Sequence, residues 1–431
     1  MEDSQSKLIE IRQLRKGMFV QLELGWMDHP FPTGSFKISS DEQIQTLRSL
    51  GLTQIRYLPS RSDVQVDEAP DAGAVAVSNG HGDAAPPELS PAEQARAWRQ
   101  SERQAQERSL EVCERRFFEA TRQYKRVGEQ IRTSPGDARR QSEELVGGCV
   151  NELLSNGESV IRLLTEVAGD RSATHPVNVM IISLLLGQAL GMGQKALEEL
   201  GLVAMLHDLG KFELPERVRA FDDHFTSTEY KLYQEHVVHS VNVAQRMGLP
   251  PEVLKGISQH HEMADGSGFP MRVKGDTMNI HGKIVALVNR YDNLCNPSRM
   301  AIALTPHEAL SVIFAQMKAR FDGTVLGAFI RMMGVYPPGS VVQLVNDRFA
   351  LVVSVNSARP LRPRILVHDP QVPRSEALVL DLEQAPELGI KRSLKASQLP
   401  KAALDYLSPR QRICYFFERA VEAPAAAGAP R

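Results

Sequence analysis

The sequence has few of the features that mark secreted, membrane or nucleic-acid-binding proteins. Its four cysteines show no paired spacing, which argues against a disulfide framework or a zinc–thiolate site and favours a reducing cytoplasm. No apolar run approaches the roughly 20 residues of a membrane span, and the acidic, polar N-terminus does not resemble a signal peptide. A formal net charge of −2 gives no general attraction to nucleic acid or to an anionic membrane. The sequence therefore predicts a cytoplasmic protein that binds neither.

The N-terminal part of the 431 residues divides into a small domain and a linker. Residues 1–61 predict an α/β domain, because LIEIRQL, MFVQLEL and QIRYLPS have the character of strands and SSDEQIQTLRSLG has the cap and terminal glycine of a helix. Residues 62–89 are rich in Ala, Gly, Asp and Pro and poor in large apolar side chains. That composition predicts a disordered linker.

Residues 90–134 predict one long helix. The segment begins with a serine cap and a first-turn proline, is densely charged, and stops at Ser134-Pro135. A helix this long and this polar over its first half can transmit a signal or pair with a copy of itself. An ordinary packed helix explains the pattern equally well. A homodimer through this helix, and signalling-protein partners, therefore stay open.

The remainder predicts a helical bundle followed by strands. Residues 135–335 repeat apolar residues at helical spacing, with helix starts such as Thr305-Pro306. Residues 336–431 contain the hairpin pattern GSVVQLVNDRFALVVSVN, two further strand-like segments, a short helical segment and an Ala/Pro tail. The predicted fold class is mainly α: a helical bundle with a small N-terminal α/β domain, a long helical linker and a small β-rich C-terminal appendage.

Histidines concentrate in one part of the chain. Eight of the twelve lie within residues 175–281, interleaved with carboxylates. Two doublets, His207-Asp208 and His260-His261, place potential ligands next to each other, although adjacent residues on a helix point about 100° apart. Both members of a doublet can serve one site if the site is a cavity between helices. Two doublets and further single histidines therefore indicate two metals roughly 3.5–4 Å apart, an arrangement used to hydrolyse phosphate esters.

Several of these histidines have simpler explanations. His175 lies between Thr174 and Pro176 and could belong to a helix-capping segment. His239 lies one turn after His236, so either could be the ligand, and the pattern favours His236. His224 and His281 are predicted to be solvated residues in loops. The HDLGK segment could also be an ordinary helix end, in which an aspartate pairs with a surface lysine.

Two motifs resemble those of the HD-GYP phosphohydrolases. HDLGK is similar to the HD-x-G-K pattern of that family, and HHEMADGSGFP to its HHE-x-x-DG-x-GYP pattern. The resemblance covers about residues 165–330, and LRKGMFVQLELGWMDHPFP resembles the small domain often found ahead of such enzymes. It implies a helical bundle that binds two or three iron or manganese ions. It also implies hydrolysis of the bacterial second messenger cyclic di-GMP to pGpG or GMP.

The resemblance implies roles for particular residues. Asp208 would bridge the metals and act in catalysis together with Lys211. Phe269 replaces the usual tyrosine of the signature loop, which keeps the ring and removes the hydroxyl. The implied metal ligands are His175, His207, Asp208, His236, His260, His261 and Asn289. The implied substrate-binding residues are Lys211, Asp265, Gly266, Gly268 and Arg299.

The ligand set departs from the family pattern at two positions. Asn289 stands where the family has a metal-binding aspartate, so one negative charge is missing and a neutral oxygen remains. Asp292 is not an obvious substitute, because one helical turn moves its side chain along the axis. Arg171 stands where some members have a glutamate ligand. Two metals, rather than three, are therefore expected.

The substrate side departs as well. The basic pair that many members carry corresponds to Ser298 and Ala301, with Arg299 next door. Together with Asn289, this motivates an alternative to catalysis. In that alternative the domain binds a nucleotide or a protein partner with little or no turnover. Hydrolysis of another nucleotide is a further alternative.

Overall fold

A computed structural model describes most of the chain. The described residues are 6–22, 35–38, 40–49, 52, 54–63, 91–155, 159–165, 171–356, 359–385 and 387–419. The chain forms two compact units, Met1–Pro87 and Glu88–Arg431, and each is described by itself. Apart from Ser62 and Asp63, the predicted disordered linker lies outside the described residues, as does the predicted Ala/Pro tail from residue 420 onwards.

The first unit is a four-stranded antiparallel sheet with one helix. Its elements are β1 (Lys7–Glu10), β2 (Phe19–Gln21), β3 (Ser35–Lys37), α1 (Asp41–Ser49) and β4 (Gln54–Tyr57). The strand order is β1-β4-β2-β3. Alternate side chains such as Val20, Ile55 and Tyr57 are buried together with Leu47 of the helix. The predicted small α/β domain is therefore confirmed.

The second unit begins with the predicted long helix, α2 (Pro91–Gln130), and continues in α3 (Pro135–Ser155). Phe117, Tyr124 and Val127 of α2 are fully buried at helical spacing, so the second half of α2 is an ordinary packed helix. Residues 96–110 of its first half are more exposed, and Trp98 is 62% accessible to solvent.

A bundle of helices surrounds α4. Every residue of α4 from Ala173 to Gly187 is buried, because α2, α5, α9, α11 and β11 pack around it. The bundle helices are α4 (Arg171–Ala189), α5 (Gln194–Leu206), α6 (Ser227–Gln234), α7 (His236–Arg246), α8 (Pro251–Ser258), α9 (Ile280–Cys295), α10 (Pro306–Gln316) and α11 (Gly323–Met333). None of the helices in the described ranges is both long and apolar enough to cross a membrane.

A seven-stranded antiparallel sheet completes the second unit. The strands are β5 (Ser159–Leu163), β6 (Val341–Leu344), β7 (Phe349–Asn356), β8 (Arg364–Val367), β9 (Val379–Asp381), β10 (Ile390–Leu394) and β11 (Tyr415–Arg419), with α12 (Lys401–Leu407) before the last strand. The main path is β10-β6-β7-β5-β11, and β8 and β9 extend from β7. The predicted hairpin is β6–β7, and Asp347 of its Asn-Asp turn has a φ of 63°. The strand β5, which precedes the bundle, was not predicted.

Candidate metal centre

Helix ends bring the histidines together. His175 lies near the start of α4, His207 caps the C-terminus of α5, and His236 opens α7. Gly210 explains the close approach of the segment after Asp208 to α7. A Cβ at Gly210 would lie 2.1 Å from the carbonyl oxygen of His236, so only glycine lets the backbone pass there.

The carboxylate of Asp208 lies between two groups of histidines. Its Oδ2 is 3.5 Å from Nε2 of His175 and 3.4 Å from Nε2 of His207. Its Oδ1 is 3.5 Å from Nε2 of His236 and 3.8 Å from Nε2 of His260. Potential ligand atoms lie within 4.8 Å of one another in two groups: His175, His207 and Asp208; and Asp208, His236, His260 and His261. One carboxylate facing two ligand groups is suited to two neighbouring cations.

Three histidines are each oriented by the carbonyl oxygen of the residue three positions earlier in the chain. Nδ1 of His207, His236 and His260 lies 2.7, 2.5 and 2.7 Å from the carbonyl oxygens of Ala204, Tyr233 and Ile257, respectively. A contact of this kind places the proton on Nδ1 and leaves a lone pair on Nε2. The Nε2 atoms that face Asp208 are therefore in the form that binds metal.

The cluster also contains buried polar atoms that no described residue satisfies. These atoms are Nε2 of His175, His207 and His261, and Oδ1 of Asp208. Such atoms are rare in folded proteins because each costs desolvation free energy. Neutral imidazole and carboxylate ligands that point at one another fit a divalent transition metal.

The protonation states agree with that chemistry. Burial lowers the pKa of His236 to about 4. Burial and the neighbouring histidines hold the pKa values of His260 and His261 well below their ordinary value. Burial alone would raise the pKa of Asp208, but His207 and Lys211 outweigh it and hold this pKa well below its usual range. Neutral imidazoles and an ionised carboxylate are what metal binding requires.

Lys211 is placed to add a positive charge. Its Nζ lies 2.6 Å from Oδ2 of Asp208 and 5.5 Å from the centroid of the Tyr233 ring. Burial would lower the pKa of Lys211, but the Asp208 carboxylate outweighs burial and raises it. The simpler explanation of HDLGK, a pair of aspartate and lysine at a helix end, accounts for this contact. It does not account for the burial of Asp208 among four histidines.

Glu262 organises the loop that follows the histidine doublet. Its side chain is fully buried. One carboxylate oxygen accepts hydrogen bonds from the backbone N–H groups of Met271 (2.7 Å) and Arg272 (3.1 Å), and the other accepts from Val273 (3.0 Å). Glu262 has no role among the predictions made from the sequence. The signal that could have found it is its place in the HHE motif, where a charged residue directly follows two histidines that are candidate ligands.

The DGSGFP loop, residues 265–270, lies against His261. The ring of Phe269 stacks on the imidazole of His261, with centroids 4.5 Å apart and 18° between the planes. Gly268 has no room for a side chain, because a Cβ there would lie 2.4 Å from the backbone nitrogen of Met263 and 2.5 Å from the carbonyl oxygen of His261. The loop therefore positions an aromatic ring beside a candidate ligand.

Two other predicted substrate-binding residues shape the turn in this loop. Gly266 has a φ of +78°, which favours glycine. One carboxylate oxygen of Asp265 accepts hydrogen bonds from the backbone N–H and the hydroxyl of Ser267, at 2.9 and 2.6 Å. Both residues thus hold the backbone next to Gly268 in place.

Asn289 is buried in α9, with 3% of its surface exposed. Its amide oxygen accepts a hydrogen bond from the amide of Asn293 at 2.6 Å. The amide oxygen of Asn293 in turn accepts one from Arg171 at 2.7 Å. The position that lacks a carboxylate is therefore connected to a guanidinium. One lone pair of the Asn289 oxygen stays available for another partner.

Arg299 is engaged by a neighbouring loop. Its guanidinium lies 2.9 Å from Nε2 of His224 and 3.4 Å from the carboxylate of Asp223. His224 is exposed, as predicted. Neither partner of Arg299 belongs to the two ligand groups.

The prediction of a solvated His281 in a loop is wrong. His281 lies in the first turn of α9 and is only 4% exposed. The side chain of Asn279 accepts a hydrogen bond from the N–H of Gly282 at 2.7 Å, so it caps the helix and starts it one residue before His281. His281 belongs to neither ligand group, and nor does His239.

Asp292 has a role that its position in the sequence does not reveal. Its side chain is 1% exposed, and its Oδ2 lies 2.5 Å from Nδ1 of His175. The turn of helix that separates it from Asn289 brings it behind His175, on the side away from Asp208. It therefore supports a candidate ligand from outside the cluster.

Comparisons with known proteins agree with this architecture. A family model described as an HD domain matches residues 158–325, and one described as a domain of unknown function, DUF3391, matches residues 6–141. Residues 158–325 are therefore similar to HD domains. With the HDLGK and HHEMADGSGFP motifs, this confirms the chain's resemblance to the HD-GYP phosphohydrolases and to the small domain that precedes them.

Individual proteins similar to this chain share less than a third of its residues in the aligned region. The chain is 25% identical to a cyclic di-GMP phosphodiesterase from Pseudomonas aeruginosa over 367 residues, which are 84% of this chain and 84% of that protein. It is 28% identical to a 3'3'-cGAMP-specific phosphodiesterase from Vibrio cholerae over 188 residues, 43% of this chain and 34% of that protein. A solved HDG"Y"P protein from Bdellovibrio bacteriovorus has a TM-score of 0.42 and 15% identity, covering 75% of this chain and 98% of that one.

Proposed function

We propose that this protein is a metal-dependent phosphodiesterase that hydrolyses cyclic di-GMP to pGpG or GMP in bacterial signal transduction. The observation that carries the proposal is Asp208, whose two oxygens face two groups of histidine nitrogens, while its buried Oδ1 has no hydrogen-bond partner among the described residues. The Pseudomonas aeruginosa relative, which is named for this activity and is similar over 84% of its length, supports the substrate.

The cofactor would be a pair of divalent ions, iron or manganese. When bound, two such ions supply an activated water and neutralise charge on the phosphoryl oxygens. The imidazole-rich donor set suits these metals better than magnesium or calcium. The residues that would hold them are His175, His207, Asp208, His236, His260, His261 and Asn289.

Asp208 and Lys211 would carry the catalytic roles of the protein itself. Asp208 holds both halves of the centre together, since one oxygen serves each group. The ammonium of Lys211 is close enough to the centre to contact a phosphoryl oxygen, and its buried setting strengthens that attraction. The loop of Asp265, Gly266 and Gly268 would shape the substrate site beside Phe269. Arg299, which His224 and Asp223 hold in place, would also contact the substrate.

The test is turnover by protein loaded with iron or manganese. Cyclic di-GMP and 3'3'-cGAMP are supplied separately, and products are separated by chromatography. The expected result is conversion of cyclic di-GMP to pGpG or GMP, with a loss of more than about a hundredfold in the Asp208→Ala variant. If the metal-loaded protein converts neither dinucleotide, the proposed phosphodiesterase activity is refuted.

A second candidate function is binding without effective turnover, as a nucleotide sensor or a protein-interaction module. The missing carboxylate at Asn289, and its connection through Asn293 to Arg171, favour it. The Asn289→Asp variant discriminates between the two functions. If the natural asparagine is a defect, the variant raises metal content and turnover. If the asparagine is an adequate ligand, both stay close to those of the natural protein.

We also propose self-association through the first half of α2, where Trp98 is largely exposed. An exposed tryptophan on a long polar helix suits a helix–helix contact between two copies. Light scattering of the natural protein and of Trp98→Glu tests this. A mass that corresponds to one chain in both proteins refutes it.

A further inference from the structure

The orientation of His175 depends on a carboxylate rather than on its own helix. Oδ2 of Asp292 contacts Nδ1 of His175, and its Oδ1 accepts hydrogen bonds from the amides of Asn178 (2.5 Å) and Asn296 (2.8 Å). The four side chains are all at least nine-tenths buried. An ionised carboxylate only accepts hydrogen bonds, so the proton of His175 is on Nδ1. The Nε2 lone pair then faces Asp208.

The two amides are themselves held by the backbone of the C-terminal segment. The N–H of Tyr415 donates to Oδ1 of Asn178, and the N–H of Ile413 donates to Oδ1 of Asn296, both at 2.8 Å. The Nδ2 groups of the same two asparagines also donate to the carbonyl oxygen of Ile413, at 3.2 and 2.8 Å.

These backbone contacts decide which way each amide points. A backbone N–H needs a hydrogen-bond acceptor, and in a side-chain amide only the oxygen accepts. The oxygens of both amides must therefore face the C-terminal segment. Their NH₂ groups are then directed at Asp292. If the segment moved away, both amides could turn, and Asp292 would lose the donors that fix it.

His236 and His260 of the other ligand group are held differently. Nδ1 of His236 and of His260 is held by a carbonyl oxygen three residues earlier in the chain. The support of His175, in contrast, comes from residues 413–415, which lie well beyond the HD-domain match that ends at residue 325. Within the described part of the chain, support from outside the matched domain therefore concerns the group that contains His175.

We infer that residues 413–415 are a positioning element for the metal group formed by His175, His207 and Asp208. They act through Asn178, Asn296 and Asp292, and not by touching metal or substrate. The inference rests on the proposed two-metal centre. It adds that the affinity of one metal, and not of the other, is set by a segment outside the HD-domain match.

The test uses the full chain and Mn²⁺ as the probe. Bound manganese is counted by elemental analysis, its affinities are measured by chelator competition, and the spectrum of a coupled pair is followed by electron paramagnetic resonance. In Asn296→Ala, one of two Mn²⁺ ions is expected to bind about 10–100-fold more weakly, and the coupled spectrum to become that of a single ion.

The matched control is Asn279→Ala. It removes the asparagine at the opposite end of α9, the N-cap that accepts a hydrogen bond from the N–H of Gly282, at a stability cost of about 1 kcal/mol. It is expected to keep both manganese ions and the coupled spectrum. If both ions weaken in Asn296→Ala in proportion to its melting temperature, or if neither weakens, the inference is overturned.

A second variant guards against misfolding of the first. Asp292→Asn keeps the shape of the side chain, but its NH₂ group would donate to Nδ1 of His175 and move the ring proton to Nε2. A folded variant that binds one Mn²⁺ supports the inference, and one that binds both with natural affinity overturns it. A natural protein that binds two Mn²⁺ ions without hydrolysing cyclic di-GMP would refute the proposed activity alone. One that binds fewer than two refutes both proposals.

Discussion

Replacing Glu262 with glutamine perturbs the loop beside His261 with little change in volume. The carboxylate of Glu262 is fully buried and accepts three backbone hydrogen bonds. In Glu262→Gln, one oxygen can still accept from Met271 and Arg272. The new NH₂ group then faces the N–H of Val273, so two donors oppose each other. The variant thus loses one charge-assisted hydrogen bond and weakens two.

The expected cost follows from the strength of those bonds. A hydrogen bond to a buried charged group contributes about 1.5–3 kcal/mol, and a neutral one about 0.5–1.5 kcal/mol. Because Met271 is exposed, water can replace part of the loss. We therefore expect the free energy of local opening to fall by about 2–4 kcal/mol. At 1.36 kcal/mol per factor of ten, this corresponds to a roughly 30- to 900-fold change in the opening equilibrium.

Hydrogen–deuterium exchange measures this opening directly, because the three amides that Glu262 binds are reporters. Exchange in peptides covering residues 269–275 should accelerate by that factor. The control is Glu308→Gln, which changes a carboxylate in another part of the chain that accepts a hydrogen bond from the N–H of Thr305 at 3.0 Å. In this control the exchange rate at residues 269–275 should equal that of the natural protein. Unchanged exchange at 269–275 in Glu262→Gln would refute the reasoning.

Three further results are expected. Gly147→Ala should raise the free energy of unfolding by about 0.5–1 kcal/mol, since a Cβ there meets nothing within 4 Å. Gly210→Ala should lower the free energy of unfolding by about 3 kcal/mol or more, because a Cβ would lie 2.1 Å from the carbonyl oxygen of His236. Urea unfolding that ranks the stabilities of the two variants the other way contradicts this reasoning. At pH 8 iodoacetamide should label no thiol of the folded protein and all four thiols of the unfolded protein, as counted by mass spectrometry. The reason is that burial raises the pKa of the thiols of Cys113, Cys149 and Cys414 to about 12. Labelling before unfolding would show that the thiols are accessible. Manganese at about 1,000 times its dissociation constant should stabilise the native state by roughly 4 kcal/mol, so a chelator should lower the melting temperature by several degrees, and an unchanged melting temperature would count against the metal centre.

The sequence predicts those parts of the fold whose signals are local. The helix of Pro91–Gln130 is bounded by prolines and caps, and the β6–β7 hairpin is marked by alternation and an Asn-Asp turn. The strands β5 and β11 are not predictable in this way, because most of their side chains are buried on both faces and do not alternate. Arg162 of β5 is 6% exposed and pairs with Glu418 of β11, a residue that no local pattern connects to it.

The candidate site divides along the same line. The histidines and Asp208 are predictable because a metal needs particular side chains, and the doublets stand out in the sequence. The helical position of Asp292 argues against it as a metal ligand. Helical position gives no information on the support of His175, since Asn178, Asn296 and Ile413 meet only in the folded chain. His281 was misplaced because the capping by Asn279 was not recognised.

The pairing of β5 with β11 also has a consequence for biosynthesis. Arg162 and Glu418 are 256 residues apart in the chain. At about 5–20 residues per second, a ribosome needs on the order of 10–50 s to make that stretch. During this interval one edge of β5 has no strand to pair with, and unpaired edges promote aggregation. We therefore expect the yield of native protein to depend on chaperone capacity while the nascent chain waits for β11 to emerge.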